Sequence, residues 1–217
     1  MLEPSPRVLA RADQALQILE RYKNRLDTVS TALSALEVED LVTVRDVATV
    51  LQRAEMVRRI AEEIEGYVVE LGTDGRLVLL QLEELVGGVE DERRLVAKDY
   101  VVPAAGWGPA DVLTRLARLD DESLLDLATV AAGLHLPTGP DLDAAVTPRG
   151  YRLLHKIPRL PELVSEHVVE RFADLAKIMR ATAAELTGVE GVGDVRARAI
   201  KDGLTRLAES SILERYA

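Results

Sequence analysis

The sequence predicts an all-α protein: a spine or bundle of long helices, then a compact domain of short helices joined by tight hairpins. Three observations carry this. Apolar residues recur every three or four positions over most of the chain, the period of a half-buried helix. Gly and Pro are concentrated between these periodic stretches, where they punctuate structure. Hydrophobic residues make up 47% of the 217 positions, enough to bury a core across one large or two modest domains. The expected division is 1–100 for the spine, 101–146 for short helices and a linker, and 147–217 for the compact domain.

The first expected helix covers 6–36. Leu9, Ala12, Leu16, Leu19, Tyr22, Leu26, Val29, Leu33 and Leu36 form a single stripe. Such a stripe needs a partner helix, from this chain or from a second copy; self-association through the spine is left open. After a polar break at 37–43, a second helix is expected over 44–71. Val47, Val50, Leu51, Ala54, Val57, Ile60, Ile64, Tyr67 and Leu71 mark its apolar face. Gly72 and Gly75 stop it. A third helix covers 76–86, closed by Gly87 and Gly88, and a fourth covers 90–100. Short connections between long helices make antiparallel neighbours. The loop 101–109 holds Trp107, read as a packing anchor. Short helices are expected at 111–119 and 122–134, and Pro137, Gly139 and Pro140 mark 135–146 as a linker. Thr147 as N-cap and Pro148 as first helical residue open a helix over 149–156. Another follows over 162–171, with 174–184 as a connection.

The stretch 186–204 organises the rest. Leu186 and Val189 are apolar anchors leading into Gly191, Val192 and Gly193, and Ala197, Ile200 and Leu204 recur at helical spacing leading out. Glycines permit a tight bend and close approach of a ligand to the main chain. The helix that follows begins with unpaired N–H groups and a partial positive charge, which together suit an anion. Val192 is expected to point inward and pin the bend. Backbone N–H groups of Val192 and Gly193 are expected to meet a phosphate, aided by Arg196, Arg198 and Lys201. This is the helix-hairpin-helix pattern, which binds DNA backbone without reading sequence. The segment 149–171 is a degenerate first copy. Its turn carries Pro158 and Pro161, which have no N–H, and Arg159 is expected to compensate through its side chain. The bland reading is a Gly-rich turn between packed helices with no ligand.

Charge is distributed to match. The chain carries −10 overall, but 149–217 holds 12 basic and 10 acidic residues, so the acidity belongs to the part before it. Other functions find little support. Aromatic residues are only 3%, too few for a stacking platform for single strands. With no Cys there is no disulfide and no Cys-ligated zinc. No apolar run approaches the ~20 residues that span a bilayer, and no signal segment opens the sequence; a soluble cytoplasmic protein without membrane contact is expected. Glu62, Glu63, Glu65, Glu83 and Glu84 read as solvated helix faces, with no His nearby to suggest a metal. His135, His155 and His167 have no nucleophile beside them. Some helix-hairpin-helix proteins are glycosylases with a Lys just past the hairpin, but here Asp194, Val195 and Arg196 stand there. No P-loop or dinucleotide fingerprint occurs, so no catalytic residue and no metal site are assigned.

Residues 20–26 (ERYKNRL), 36–46 (LEVEDLVTVRD), 55–59 (EMVRR), 70–76 (ELGTDGR) and 80–85 (LQLEEL) resemble the helical spine of the bacterial DNA integrity scanning proteins. Residues 150–161 (GYRLLHKIPRLP) and 189–198 (VEGVGDVRAR) resemble their C-terminal DNA-binding domain. The likeness covers nearly the whole chain except 101–110 and 135–146. It implies an octameric, metal-dependent diadenylate cyclase that makes cyclic di-AMP and is inhibited by branched DNA. The family's Asp-Gly-Ala and Arg-His-Arg cyclase motifs do not occur here, and Asp74-Gly75-Arg76 lies in the spine. The expectation is therefore the non-catalytic, DNA-binding and regulatory portion of such a protein, with ATP and Mg or Mn belonging only to the absent cyclase domain. Branched double-stranded DNA is the expected partner. The alternatives are a helical protein-interaction scaffold whose hairpin is only structural, and a cryptic enzyme.

Overall fold

A computed structural model describes residues 6–104 and 106–216. Among these there are twelve α-helices and no strand. Helices α1 (Pro6–Glu39) and α2 (Val44–Leu71) pack lengthwise and form the spine. Leu16, Leu19, Leu26 and Leu33 of α1 are buried in one core with Val50, Leu51, Ala54, Val57 and Ile64 of α2. The stripe on α1 is thus closed within a single chain. Its first turn differs from expectation: Val8 is buried and Leu9 is exposed, a shift of one position within the helical period.

Gly72, at φ +59, turns the chain through a 3-10 segment (Gly72–Gly75) into α3 (Arg76–Val86). Gly88, at φ +83, leads into α4 (Val89–Tyr100). Helix α5 (Pro109–Arg118) follows the Trp107 loop. Trp107 is half-buried, packs on the spine core and tilts against His135 at 4.6 Å. The single helix expected over 122–134 is two, α6 (Asp121–Leu125) and α7 (Leu127–Leu134). Asp126 breaks them apart: its carboxylate accepts the N–H of Thr129 at 3.2 Å and so starts α7 afresh. The segment after α7 returns to the spine, where Val146 N–H donates to Val42 O at 2.9 Å and Val44 N–H to Ala144 O at 3.0 Å. One core takes buried side chains from Val8 through Val146, so the 101–146 segment contributes to the same core as the spine.

A second core runs from Tyr151 to Leu204 and also takes Leu95 from α4. Its helices are α8 (Tyr151–His155), α9 (Glu162–Phe172), α10 (Leu175–Arg180), α11 (Ala183–Thr187) and α12 (Asp194–Tyr216). Two expectations are corrected here. Helix α8 begins after Gly150, at φ +118, rather than at Pro148, because its first amides are drawn to an acceptor on the spine described below. The presumed connection 174–184 contains α10 and the start of α11. Asp174 caps the first through Lys177 N–H at 2.9 Å. Thr182 and Glu185 cap the second reciprocally, at 2.7 Å and 3.2 Å.

Candidate nucleic-acid interface

The second core is a tandem repeat. Shifting by 32 residues carries α8 (Tyr151–His155) onto α11 (Ala183–Thr187) and the start of α9 onto the start of α12. The turn hydrogen bonds shift with it. Ile157 N–H to Leu154 O at 3.1 Å matches Val189 N–H to Leu186 O at 3.0 Å. Leu160 N–H to Ile157 O at 3.4 Å matches Val192 N–H to Val189 O at 3.0 Å. Ser165 N–H to Pro161 O at 3.1 Å matches Ala197 N–H to Gly193 O at 2.9 Å. Each hairpin lies on the other copy. A Cβ on Gly191 would come within 3.2 Å of Val164 on α9, and one on Gly203 within 2.9 Å of Ile157 in the first turn. His167 Nδ1 sits 3.1 Å from Glu190 O across the same contact.

The second hairpin matches the expected build in part. Gly191 is exposed at φ +81, a left-handed conformation that glycine adopts without strain. Val192 is buried, as its place between the glycines predicts. Its N–H, however, already donates to Val189 O, so Val192 is not a phosphate donor. That correction follows from the turn itself: the bond that closes the hairpin uses this amide. The amides of Gly193, Asp194 and Val195 have no acceptor among the described residues, and all three residues are exposed. They form the open first turn of a 23-residue helix.

The basic residues divide. Arg198 is exposed and unpaired among the described residues. Arg196 is exposed, but its Nη1 donates to Gly191 O at 2.7 Å and braces the hairpin. Lys201 is half-buried, with Nζ donating to Met179 O at 2.8 Å in the last turn of α10. It therefore ties α12 to α10 instead of facing outward with Arg198. Arg159 is exposed at φ +61, at the position in the first copy that Gly191 holds in the second. The first copy is weaker as an anion cradle. Pro161 replaces Gly193 and offers no N–H, and Glu162 at the start of α9 is bound by Arg94 of α4 at 2.5 Å.

The repeat is seated on the spine by a buried polar cluster that periodicity did not reveal. Asp99 of α4, almost wholly buried, accepts N–H groups of Gly150 at 2.8 Å, Tyr151 at 2.6 Å and Arg152 at 3.0 Å. It thereby caps α8 from outside. Arg152 points the other way, with its Nη1 donating to Glu37 at 2.6 Å and its Nη2 to Glu92 at 2.7 Å and to Ser30 O at 3.2 Å. Tyr100 donates to the same Glu37 at 2.7 Å, Ser30 Oγ donates to Glu92, and Lys156 donates to Ser34 at 2.9 Å. Burial and the Glu37 charge push the Asp99 carboxyl up to about 7, against the backbone N–H bonds that favour its charged form. Burial works against the Glu92 carboxylate too, but the Arg152 charge and hydrogen bond outweigh it and hold the carboxyl below its ordinary value. The spacing of Arg152 from Glu37 and Glu92 in the chain is too large for any local signal. The one available hint was Asp99, whose helical neighbours Leu95 and Val96 are apolar.

Comparison with known proteins adds to this geometry. The family model described as "DisA bacterial checkpoint controller linker region" matches residues 2–142. The chain is 61% identical over 217 residues to the DNA integrity scanning protein DisA of Acidothermus cellulolyticus, covering 99% of this chain and 59% of that protein. It is 57% identical to the protein of the same name from Kineococcus radiotolerans, covering 100% and 61%. Against the one from Streptomyces coelicolor it is 57% identical, covering 100% and 59%. The chain thus spans 59 to 61% of the length of these relatives.

Two predictions follow from the buried cluster. Arg152→Ala leaves Glu37 and Glu92 unpaired at the seam and should cost about 3–5 kcal/mol, measured by urea denaturation; a loss below about 1 kcal/mol contradicts the arrangement. The folded Asp99 carboxyl titrates at about 7, above its unfolded value of about 3.9. Its contribution is complete below the unfolded value and is lost as pH rises through 7. Glu92, held low, acts oppositely: its contribution is present above its ordinary value and is lost on acidification. Asp99→Asn should flatten the fall in stability between about pH 5 and 7, and an unaltered slope argues against the assignment.

Proposed function

This chain belongs to the DisA family by its linker region, and on that premise we propose that it is a DNA-binding and regulatory portion whose second hairpin grips the phosphate backbone of branched double-stranded DNA. The observation that carries the reading is the open first turn of α12. The amides of Gly193, Asp194 and Val195 face solvent beside Arg198, on a bend held rigid by Val192 and Arg196. Backbone contacts of this kind are sequence-independent, so the preference is for the shape of a junction. The relatives' printed name, DNA integrity scanning protein, agrees with such a role.

In this reading the chain itself performs no chemistry. The spine relays occupancy of the hairpin to a cyclic di-AMP-synthesising domain, which would bring ATP and Mg or Mn. The protein acts in the cytoplasm, and no helix among the described residues is long and apolar enough to cross a membrane. Self-association through the spine would use the exposed Leu77 and Leu80 of α3, because the α1 stripe is buried. The internal bonds of Val192 N–H and Lys201 favour a second reading, a scaffold with a purely structural hairpin.

A single substitution separates the two. A Cβ on Gly193 meets nothing within 4 Å, so Gly193→Glu fits sterically while setting a carboxylate before the open amides. Junction binding, followed by fluorescence titration, should fall at least about tenfold with helicity intact, and wild-type affinity should drop steeply with salt. Unchanged affinity in the variant, or salt-insensitive binding of the wild type, supports the scaffold.

A further inference from the structure

Backbone amides and arginines meet the same phosphates on a junction and on a linear duplex. A branch arranges those phosphates differently, and it also exposes what a duplex hides, the unstacked faces of bases, so a group that meets such a face sharpens the preference for a junction. The tandem repeat carries such a pair. Leu163 and Val195 are 61% and 82% exposed, and the 32-residue shift that superimposes the two copies carries one onto the other. Each is the second residue of the helix that leaves its hairpin. A helical Cα–Cβ bond tilts towards the N-terminus, so each side chain leans over the first turn of its helix, next to its hairpin.

The helices that carry them are in contact: Val164, the neighbour of Leu163, lies against Gly191 of the second hairpin, where a Cβ would come within 3.2 Å. Arg159 in the first turn and Arg198 past the second are exposed with no ion-pair partner among the described residues, whereas Arg94 and Lys98 of α4 are paired with Glu162 beside Leu163 at 2.5 Å and 3.4 Å, and Glu190 and Asp194 flank the second hairpin. Those two arginines are the cations the surface offers a polyanion here. Exposed aliphatic side chains scattered singly need no explanation. An equivalent pair at the mouths of both hairpins does.

We propose that Leu163 and Val195 are paired apolar wedges that pack on unstacked base faces at a DNA branch point and so determine selectivity for branched over linear duplex. The proposal rests on the DNA-binding reading above. Apolar side chains inserted at disrupted base steps are an established way to recognise deformed DNA. A four-way junction already has its stacking interrupted at the centre, so the wedge meets a base face there without first opening a duplex.

The test uses the whole chain, a four-way junction carrying 2-aminopurine at the branch point, and a linear duplex of equal length. Both side chains are exposed, so Leu163→Ser/Val195→Ser should keep the wild-type circular dichroism and melting profile. Wild type should bind the junction more tightly and change the 2-aminopurine emission. In the double variant the junction-to-duplex affinity ratio should fall about tenfold, the scale for losing two partly buried aliphatic contacts, and the emission change should vanish. Val195→Phe, with a larger apolar face, should raise the ratio. A double variant that keeps the wild-type ratio and emission change overturns the proposal and leaves the DNA-binding reading standing. A wild type that binds junction and duplex equally overturns the proposal and the junction preference, and leaves only backbone binding standing. A wild type that binds neither DNA overturns both.

Discussion

Two side chains facing opposite ways hold the seam between the two cores. Asp99 reaches out of the spine and takes the amide of Gly150, the N-cap of α8, and the first two amides of the helix. Arg152 reaches back from α8 into the spine and takes Glu37 and Glu92. Helix α8 is only five residues long and could not hold its own N-terminus in isolation. Its position is dictated by the spine, and the repeat is held there further by α12 and α10 against α1. Because each hairpin packs on the opposite copy, fixing the first copy also fixes the aim of the second. A buried charge cluster of this type stabilises little by itself but penalises every misaligned arrangement, since displacement would strand charges away from water. That makes it suited to specifying one docking geometry between a rod and the domain at its side.

The two copies differ in build. In the first, the turn has two prolines, and Glu162 at the head of α9 is bridged to Arg94 and Lys98 on the spine. It acts as an anchor. In the second, the glycines leave an open helix end, and the nearby basic residues split between bracing the bend (Arg196), fastening α12 to α10 (Lys201) and facing solvent (Arg198). The copy that is attached to the spine and the copy that is open to a ligand thus share one small core. Val164 of the first copy packs against Gly191 of the second, so the two hairpins are held to one another.

Much of this was legible in the sequence, for identifiable reasons. The α1 and α2 stripes follow a strict helical period, so their partnership was readable, although Leu9 shows how a stripe can drift by one position at a helix end. The inward Val192 and the glycine bend were readable because the stereochemistry of the turn is local. The break at Asp126 and the caps at Asp174 and Thr182 lie in short segments where a single side-chain hydrogen bond outweighs periodicity. The use of Val192 N–H within the hairpin is likewise a local bond that residue types alone do not announce. The Asp99–Arg152–Glu37–Glu92 cluster was illegible because its members come together only when the chain has folded. Their sequence separations, from 53 to 115 residues for the bonds at issue, carry no pattern.

The most direct measurement is residue-resolved amide hydrogen exchange on the free chain and on its complex with a four-way junction. The account predicts fast exchange at Gly193, Asp194 and Val195 in the free chain, marked slowing of those three on binding, and little change at Val192, whose N–H is bonded in both states. Slow exchange at the three positions before any DNA is added, or unaltered exchange there once the junction is bound, would contradict it.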